Sequence, residues 1–196
     1  MKRITIDQIL TYVEHVIAWN PSCTYDEKRL RELAPTGSLT PLEVCDLDIP
    51  IQDILWVLLR PEIIPERDLH LLACRFAEAA LPVWEAVYPD DPRPRQAIET
   101  KRRWLDGNAT DAELASARAA AGEAARVAEW NACVETDPGA AGRVLHAFFA
   151  ARAAEWAAER PERPAAFFAA DAAQSAERDE LARQLQLVRD VLAAQT

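Results

Sequence analysis

Glycine is scarce in this chain, with five residues in 196, and aromatic residues make up only 7%. Sheets need branched and aromatic residues along their strands and glycine in their tight turns, so a β-rich fold is disfavoured from the outset. Long apolar runs are missing too. The cleanest is Ile54–Leu59, six residues, far short of the roughly 20 that a bilayer-spanning helix requires. Near the start, Lys2 and Arg3 are basic, but Asp7, Glu14 and His15 interrupt what would have to be the apolar core of a secretion signal. These absences predict neither membrane association nor secretion, and so a cytoplasmic protein.

Positive charge is also in deficit: 22 Lys plus Arg stand against 32 Asp plus Glu, a formal charge of -10. That balance repels nucleic acid and anionic membrane surfaces, removing both from the expected partners. Cys23, Cys45, Cys74 and Cys133 contain no CxxC pair. A chain this long does not need disulfide staples, so reduced, mostly buried thiols are expected. Walker A, GxGxxG, HExxH and GxSxG patterns do not occur. No cofactor and no catalytic residue is therefore assigned.

What the chain has in abundance is alanine, 38 residues with 30 of them after position 108, arranged between clear helix signals. Thr5 with Gln8, Thr24 with Glu27, Thr40 with Glu43 and Thr110 with Glu113 form capping boxes, each joining a hydroxyl to an acid or amide three residues on. Ile4 and Ile9 are placed to staple the first helix, whose apolar face continues through Leu10, Val13 and Ile17 toward Trp19, and which ends at Asn20 and Pro21. Pro41, Pro94 and Pro138 suit first helical positions, and Pro50 opens a helix buried on most sides. Between Glu66 and Tyr88 the apolar residues Leu69, Leu72, Ala73, Phe76, Ala80, Trp84 and Val87 recur every three or four positions. This predicts a central core helix, kinked near Pro82 because proline removes the amide bond to the carbonyl of Glu78.

Further helices are predicted from Pro94 to Asp106, from Thr110 to about Glu135, from Pro138 to about Glu159, and from about Pro164 to Ala194. The fold class is therefore all-α, a multi-helix bundle of antiparallel helices joined by short loops. One helical domain, 1–196, is expected, divided into short helices over 1–60, a core over 61–135 and alanine-rich helices over 136–196. The stripe Ala117, Ala121, Ala125, Ala128 and Ala132 lacks bulk and invites close approach by a neighbouring backbone.

Several clusters carry potential chemistry. His70 and Cys74 share a helix face and are weak metal candidates, or a base and nucleophile, but no further ligand or orienting group has matching spacing. Arg75, Glu78 and Glu85 lie on the polar side of the same helix, and a carboxylate over a proline kink marks an alternative pocket for a small-molecule or catalytic bundle. Asp90 and Asp91 sit among Pro89, Pro92 and Pro94; Asp91 is suited to capping the next helix, with Arg93 and Arg95 balancing its charge. Lys101, Arg102 and Arg103 form a local basic cluster flanked by Glu99 and Asp106. Six tryptophans, Trp19, Trp56, Trp84, Trp104, Trp130 and Trp156, are many for this length, and an exposed one would anchor a protein interface.

The segments IPIQDILWVLLR from Ile49, LLACRFAE from Leu71, YPDDPRPRQAIE from Tyr88 and GNATDAEL from Gly107 together resemble the immunity proteins of bacterial polymorphic toxin systems, specifically the immunity-five-like all-helical domain. The resemblance covers about residues 43 to 135. At position 76 this chain carries phenylalanine where relatives often have a second cysteine, two positions beyond Cys74. The resemblance implies a non-enzymatic protein whose partner is a cognate toxin. The expected partner-binding surface combines exposed acids with Tyr88, Asp90, Asp91, Arg93 and Arg95 on the stiff proline turn, and one or more exposed tryptophans. A homodimer built on the alanine and leucine stripes is the alternative assembly.

Overall fold

The computed structural model describes residues 3–9, 27–158 and 177–195. The expected first-helix positions Leu10, Val13, Ile17 and Trp19, the Thr24 cap, His15, Cys23 and the start of the last helix at Pro164 lie outside the described residues. The fold is predominantly helical, as the composition predicts. Two compact units divide it: Met1–Ile64 with Leu185–Thr196, and Pro65–Gln184.

In the first unit, β1 (Ile4–Thr5) pairs antiparallel with β2 (Ser38–Leu39), matching Ile4 with Leu39 and Thr5 with Ser38. The sequence pattern predicts a turn and no strand here. Two-residue strands are too short for an alternation pattern, and the pairing partner is distant in the chain. The Arg3 side chain reinforces the pairing, donating from Nε to Ser38 Oγ at 2.8 Å and from Nη2 to the Ser38 carbonyl at 2.7 Å. Gly37, at φ +78, supplies the left-handed turn that leads into β2. The Thr5 and Gln8 box is present, with Gln8 N donating to Thr5 Oγ1 and Thr5 N to Gln8 Oε1.

Helix α1 is Glu27–Leu33, α2 is Pro41–Cys45 and α3 is Ile51–Leu58. The Thr40 and Glu43 box caps α2 with Pro41 in its first turn, and these bonds from Thr40 hold the Glu43 carboxyl below its ordinary value. Ile54, Leu55, Val57 and Leu58 are the buried residues of α3. The end of the last helix, α8 (Glu177–Ala193), completes the unit: Val188 and Leu192 are buried, and Arg189 Nη2 donates to the Cys45 carbonyl at 2.6 Å and to Asp46 Oδ1 at 2.7 Å.

The second unit is built on α4 (Glu66–Val87), α5 (Arg93–Leu105), α6 (Asp111–Val134) and α7 (Pro138–Ala157). Helices α4 and α5 run antiparallel, since Glu85 pairs with Arg95, Glu78 with Arg102 and Arg67 with Asp106. Pro82 faces solvent and α4 continues past it to Val87, with Leu69, Leu72, Phe76, Leu81 and Trp84 buried. Gly107, at φ +73, ends the α5 turn, and Thr110 with Glu113 caps α6 by reciprocal bonds. Asp137 Oδ2 accepts from Ala140 N to cap α7.

The helix at the centre is α7, which packs against α4, α5 and α6. Apolar periodicity alone gives that place to Glu66–Tyr88. Alanine explains the difference: Ala147, Ala150, Ala151, Ala153, Ala154 and Ala157 are all buried, so a slender rod receives neighbours on several sides. Opposite it, Gly122 of α6 is so close to Glu155 that a Cβ there would lie 2.9 Å from Oε1. Of the α6 alanine stripe, Ala121, Ala125 and Ala128 are fully buried. A smaller cluster joins Ala97, Leu114, Ala121 and Ala158, with Trp104 and Ala117 against it.

Candidate partner-binding site

The turn between α4 and α5 is built by its prolines. Asp91 N donates to the Tyr88 carbonyl at 3.2 Å, closing a β-turn in which Pro89 holds the second position. Trp84, buried beneath, donates from Nε1 to the Asp91 carbonyl at 2.8 Å. The Tyr88 ring packs on Trp84 with centroids 4.4 Å apart, and its hydroxyl accepts from Asn131 Nδ2 of α6 at 3.1 Å. The corner is thus fastened to α4 and α6 by an aromatic pair and two hydrogen bonds.

Its charges divide into committed and uncommitted ones. Asp91 accepts from Arg93: Oδ1 takes the backbone amide at 3.1 Å and Nε at 2.9 Å, while Oδ2 takes Nη2 at 2.6 Å. The Arg93 side chain is the main reason the Asp91 carboxyl is held below its ordinary value, and the same bond raises Arg93. The sequence pattern makes Asp91 the cap and Pro94 the first helical residue. Instead Pro92 occupies the cap position, Arg93 begins the helix, and Asp91 serves the helix start from one residue further out. Arg95 bonds Glu85 through Nε at 2.7 Å. Asp90, by contrast, is exposed with no carboxylate contact among the described residues.

Of the alternative pocket residues, Glu78 does not pair with Arg75. It takes a two-pronged contact from Arg102, Nε to Oε1 at 2.7 Å and Nη2 to Oε2 at 2.8 Å, while Arg75 points to solvent. Glu85 is engaged by Arg95. Arg75, Glu78 and Glu85 therefore do not converge; two of them pin α4 to α5. Arginine's planar fork favours this bidentate arrangement over a single-pronged pair within α4.

The seam below holds His70 and Cys74. His70 is buried, its Nδ1 has no hydrogen-bond partner among the described residues, and Nε2 lies 3.8 Å from Glu66 Oε1. Burial, aided by the Lys101 charge, pushes the imidazole down to about 4, so it is neutral at pH 7. Burial likewise raises the Cys74 thiol to about 11. At neutral pH it stays protonated, without the thiolate that nucleophilic chemistry uses. Among the described residues no group of three or more His, Cys, Asp or Glu could hold a metal ion.

Lys101, part of the basic cluster with Arg102 and Arg103, is not on the surface. It is 1% exposed, with Nζ 4.3 Å from the centroid of Trp104, whose ring also meets His70 edge-on at 5.8 Å. A signal for this lies in the sequence: Lys101 follows Pro94, Ala97 and Ile98 at helical spacing, and all three are buried. A long aliphatic stem with its head over an indole makes burial on that face tolerable. Arg102 and Arg103 turn away from it. The tryptophans also separate. Trp84 is buried, Trp56, Trp104 and Trp156 are half-buried, and Trp130 is 69% exposed.

The model of one family, the Imm-5 like putative immunity protein, matches residues 61–191 of the chain. The chain belongs to that family. No curated protein and no solved structure matches it. The Imm-5 like region contains the corner, the α4 to α5 seam, α6 and α7, and extends into α8. It starts later and ends later than the resemblance seen in sequence, leaving Ile49–Arg60 outside and taking in the alanine-rich helices. No helix among the described residues of this Imm-5 like chain is long and apolar enough to cross a membrane.

Proposed function

We propose that this chain is a non-enzymatic immunity protein that binds a cognate bacterial toxin domain in the cytoplasm and neutralises it by covering its active site or substrate surface. Membership of the Imm-5 like family is the observation that carries this reading. The charge of -10 supports it, because toxins that act on nucleic acid are commonly basic and complementary fields speed encounter. The docking edge is the corner bearing Tyr88, Asp90, Asp91, Arg93 and Arg95. Within it Asp90 is the outward acid, while the Asp91 and Arg93 pair and the Arg95 contact to Glu85 hold the edge in shape.

The test is co-expression with the toxin encoded beside this gene, read as restored growth and as a stoichiometric purified complex. Asp90→Lys leaves the scaffold bonds intact, so it should weaken the complex roughly 10-fold, as loss of a close interfacial charge pair does. Unchanged affinity would remove Asp90 from the docking edge and leave the class standing. Failure of the unaltered chain to bind or protect would sink the reading itself.

A further inference from the structure

Helix α6 buries one side against its neighbours and leaves bulky apolar residues on another. Val127, Trp130 and Val134 are 41%, 69% and 55% exposed. Their spacing of three and four residues places them in one stripe along the last turns of the helix. Solvated helix faces ordinarily carry charge, and the remainder of α6 does so with Asp111, Glu113, Glu123, Arg126 and Glu129. An indole left in water between two valines has no packing explanation among the described residues of the unit.

The stripe adjoins the corner. Asn131, which donates to the Tyr88 hydroxyl, follows Trp130 directly and lies between Val127 and Val134. Among the described residues, the exposed acids Asp90 on the corner and Glu129, Glu135 and Asp137 along the chain from α6 stand against Arg143 and Arg95, and Arg95 is held by Glu85. Arg126 is spent on Glu123. A desolvated aromatic centre inside a polar rim is the usual anatomy of a protein interface.

Resting on the immunity function proposed for the chain, we infer that Val127, Trp130 and Val134 are the anchor by which it grips its partner, a basic protein domain offering an apolar recess edged with lysine or arginine. Charge decides between occupants. A second copy would set Glu129, Glu135 and Asp137 against the same acids, whereas a cationic domain neutralises them.

The full-length chain and the purified, catalytically inactivated toxin domain from the adjacent gene provide the test. Cys133 lies on α6 beside the stripe and is exposed, whereas Cys45 and Cys74 are buried with thiols raised to about 11. Iodoacetamide labelling, resolved by peptide mass spectrometry, should modify Cys133 readily in the free protein and be suppressed there by the toxin domain. Calorimetric titration should show Trp130→Ala binding about 30-fold or more weakly, the loss expected of an interface hot spot, with an unchanged melting temperature. A complex that forms with unaltered affinity in Trp130→Ala while Cys133 stays reactive overturns the anchor and spares the immunity function. If the unaltered chain does not bind the toxin domain, both fall. Sedimentation that reveals a concentration-dependent dimer dissolved by Trp130→Ala assigns the stripe to self-association and rejects the inference. A Cys133 that resists labelling in the free monomer shows the stripe covered by the chain itself, which rejects it as well.

Discussion

The seam between α4 and α5 and the contact between α6 and α7 solve the same problem with opposite materials. Along the first, Trp84 and His70 are buried, the Trp104 ring meets His70, and large charged side chains cross from helix to helix. Across the second, the buried residues of α7 are all alanine and those of α6 are alanine apart from Leu114 and Gly122. Bulky residues gain stability from area removed from water, and alanines gain it from proximity, with little side-chain entropy lost. It follows that one contact suffers chiefly from subtraction and the other from addition.

The largest expected effect is subtraction at Trp84. Trp84→Ala should destabilise the protein by about 3–5 kcal/mol in urea unfolding, because it opens a cavity and leaves the Asp91 carbonyl without its donor. A loss below half of that would show the corner to be held by other means. Acidification probes the same seam. The folded imidazole of His70 sits at about 4 against an ordinary 6.5, so the unfolded chain takes up the proton first as pH falls. The associated stability is complete above 6.5 and is lost between 6.5 and 4, about 3 kcal/mol in all. The groups facing His70 are Glu66 and Lys101, with Trp104 beside them. Asp91, Glu43 and Glu113, held below 3.8, 4.5 and 4.5, lose their contributions only at the acid end, so the upper part of the window belongs to histidine. Urea midpoints at pH 7.5, 6 and 5 should therefore fall in steps, and His70→Asn should flatten them; an unchanged slope would contradict the buried, neutral imidazole. The smallest of the three effects is addition: Ala125→Leu, at a fully buried position, should cost about 1–3 kcal/mol by overpacking. A neutral result would erase the contrast between the two contacts.

Local chemistry is legible in the sequence. The boxes at Thr40 and Thr110, the Asp137 cap and the stop at Gly107 all act over a few residues, so both partners stand in view together. Long-range choices are not legible. Glu78 has Arg75 within its own helix turn, yet the better-oriented Arg102, 24 positions away, takes the contact. Ser38 finds Thr5 across the chain, which no periodicity announces. Charge misleads at Lys101, where the helix face outweighs the ammonium group. Of the candidate site, the stiffness of the corner is visible in its prolines and the commitment of Asp91 is half visible. Which of the described tryptophans stays outside is decided by packing, and composition treats them alike.

The Arg189 contact to Cys45 and Asp46 has a consequence for biosynthesis. Arg189 and Cys45 are separated by 144 positions, so the early segment emerges from the ribosome long before the helix that caps it. Residues 65–184 have all been translated by then and can pack among themselves. The unit begun before residue 65 is accordingly finished only after residues 65–184 have been made, and Val188 and Leu192 are among the buried side chains that arrive last.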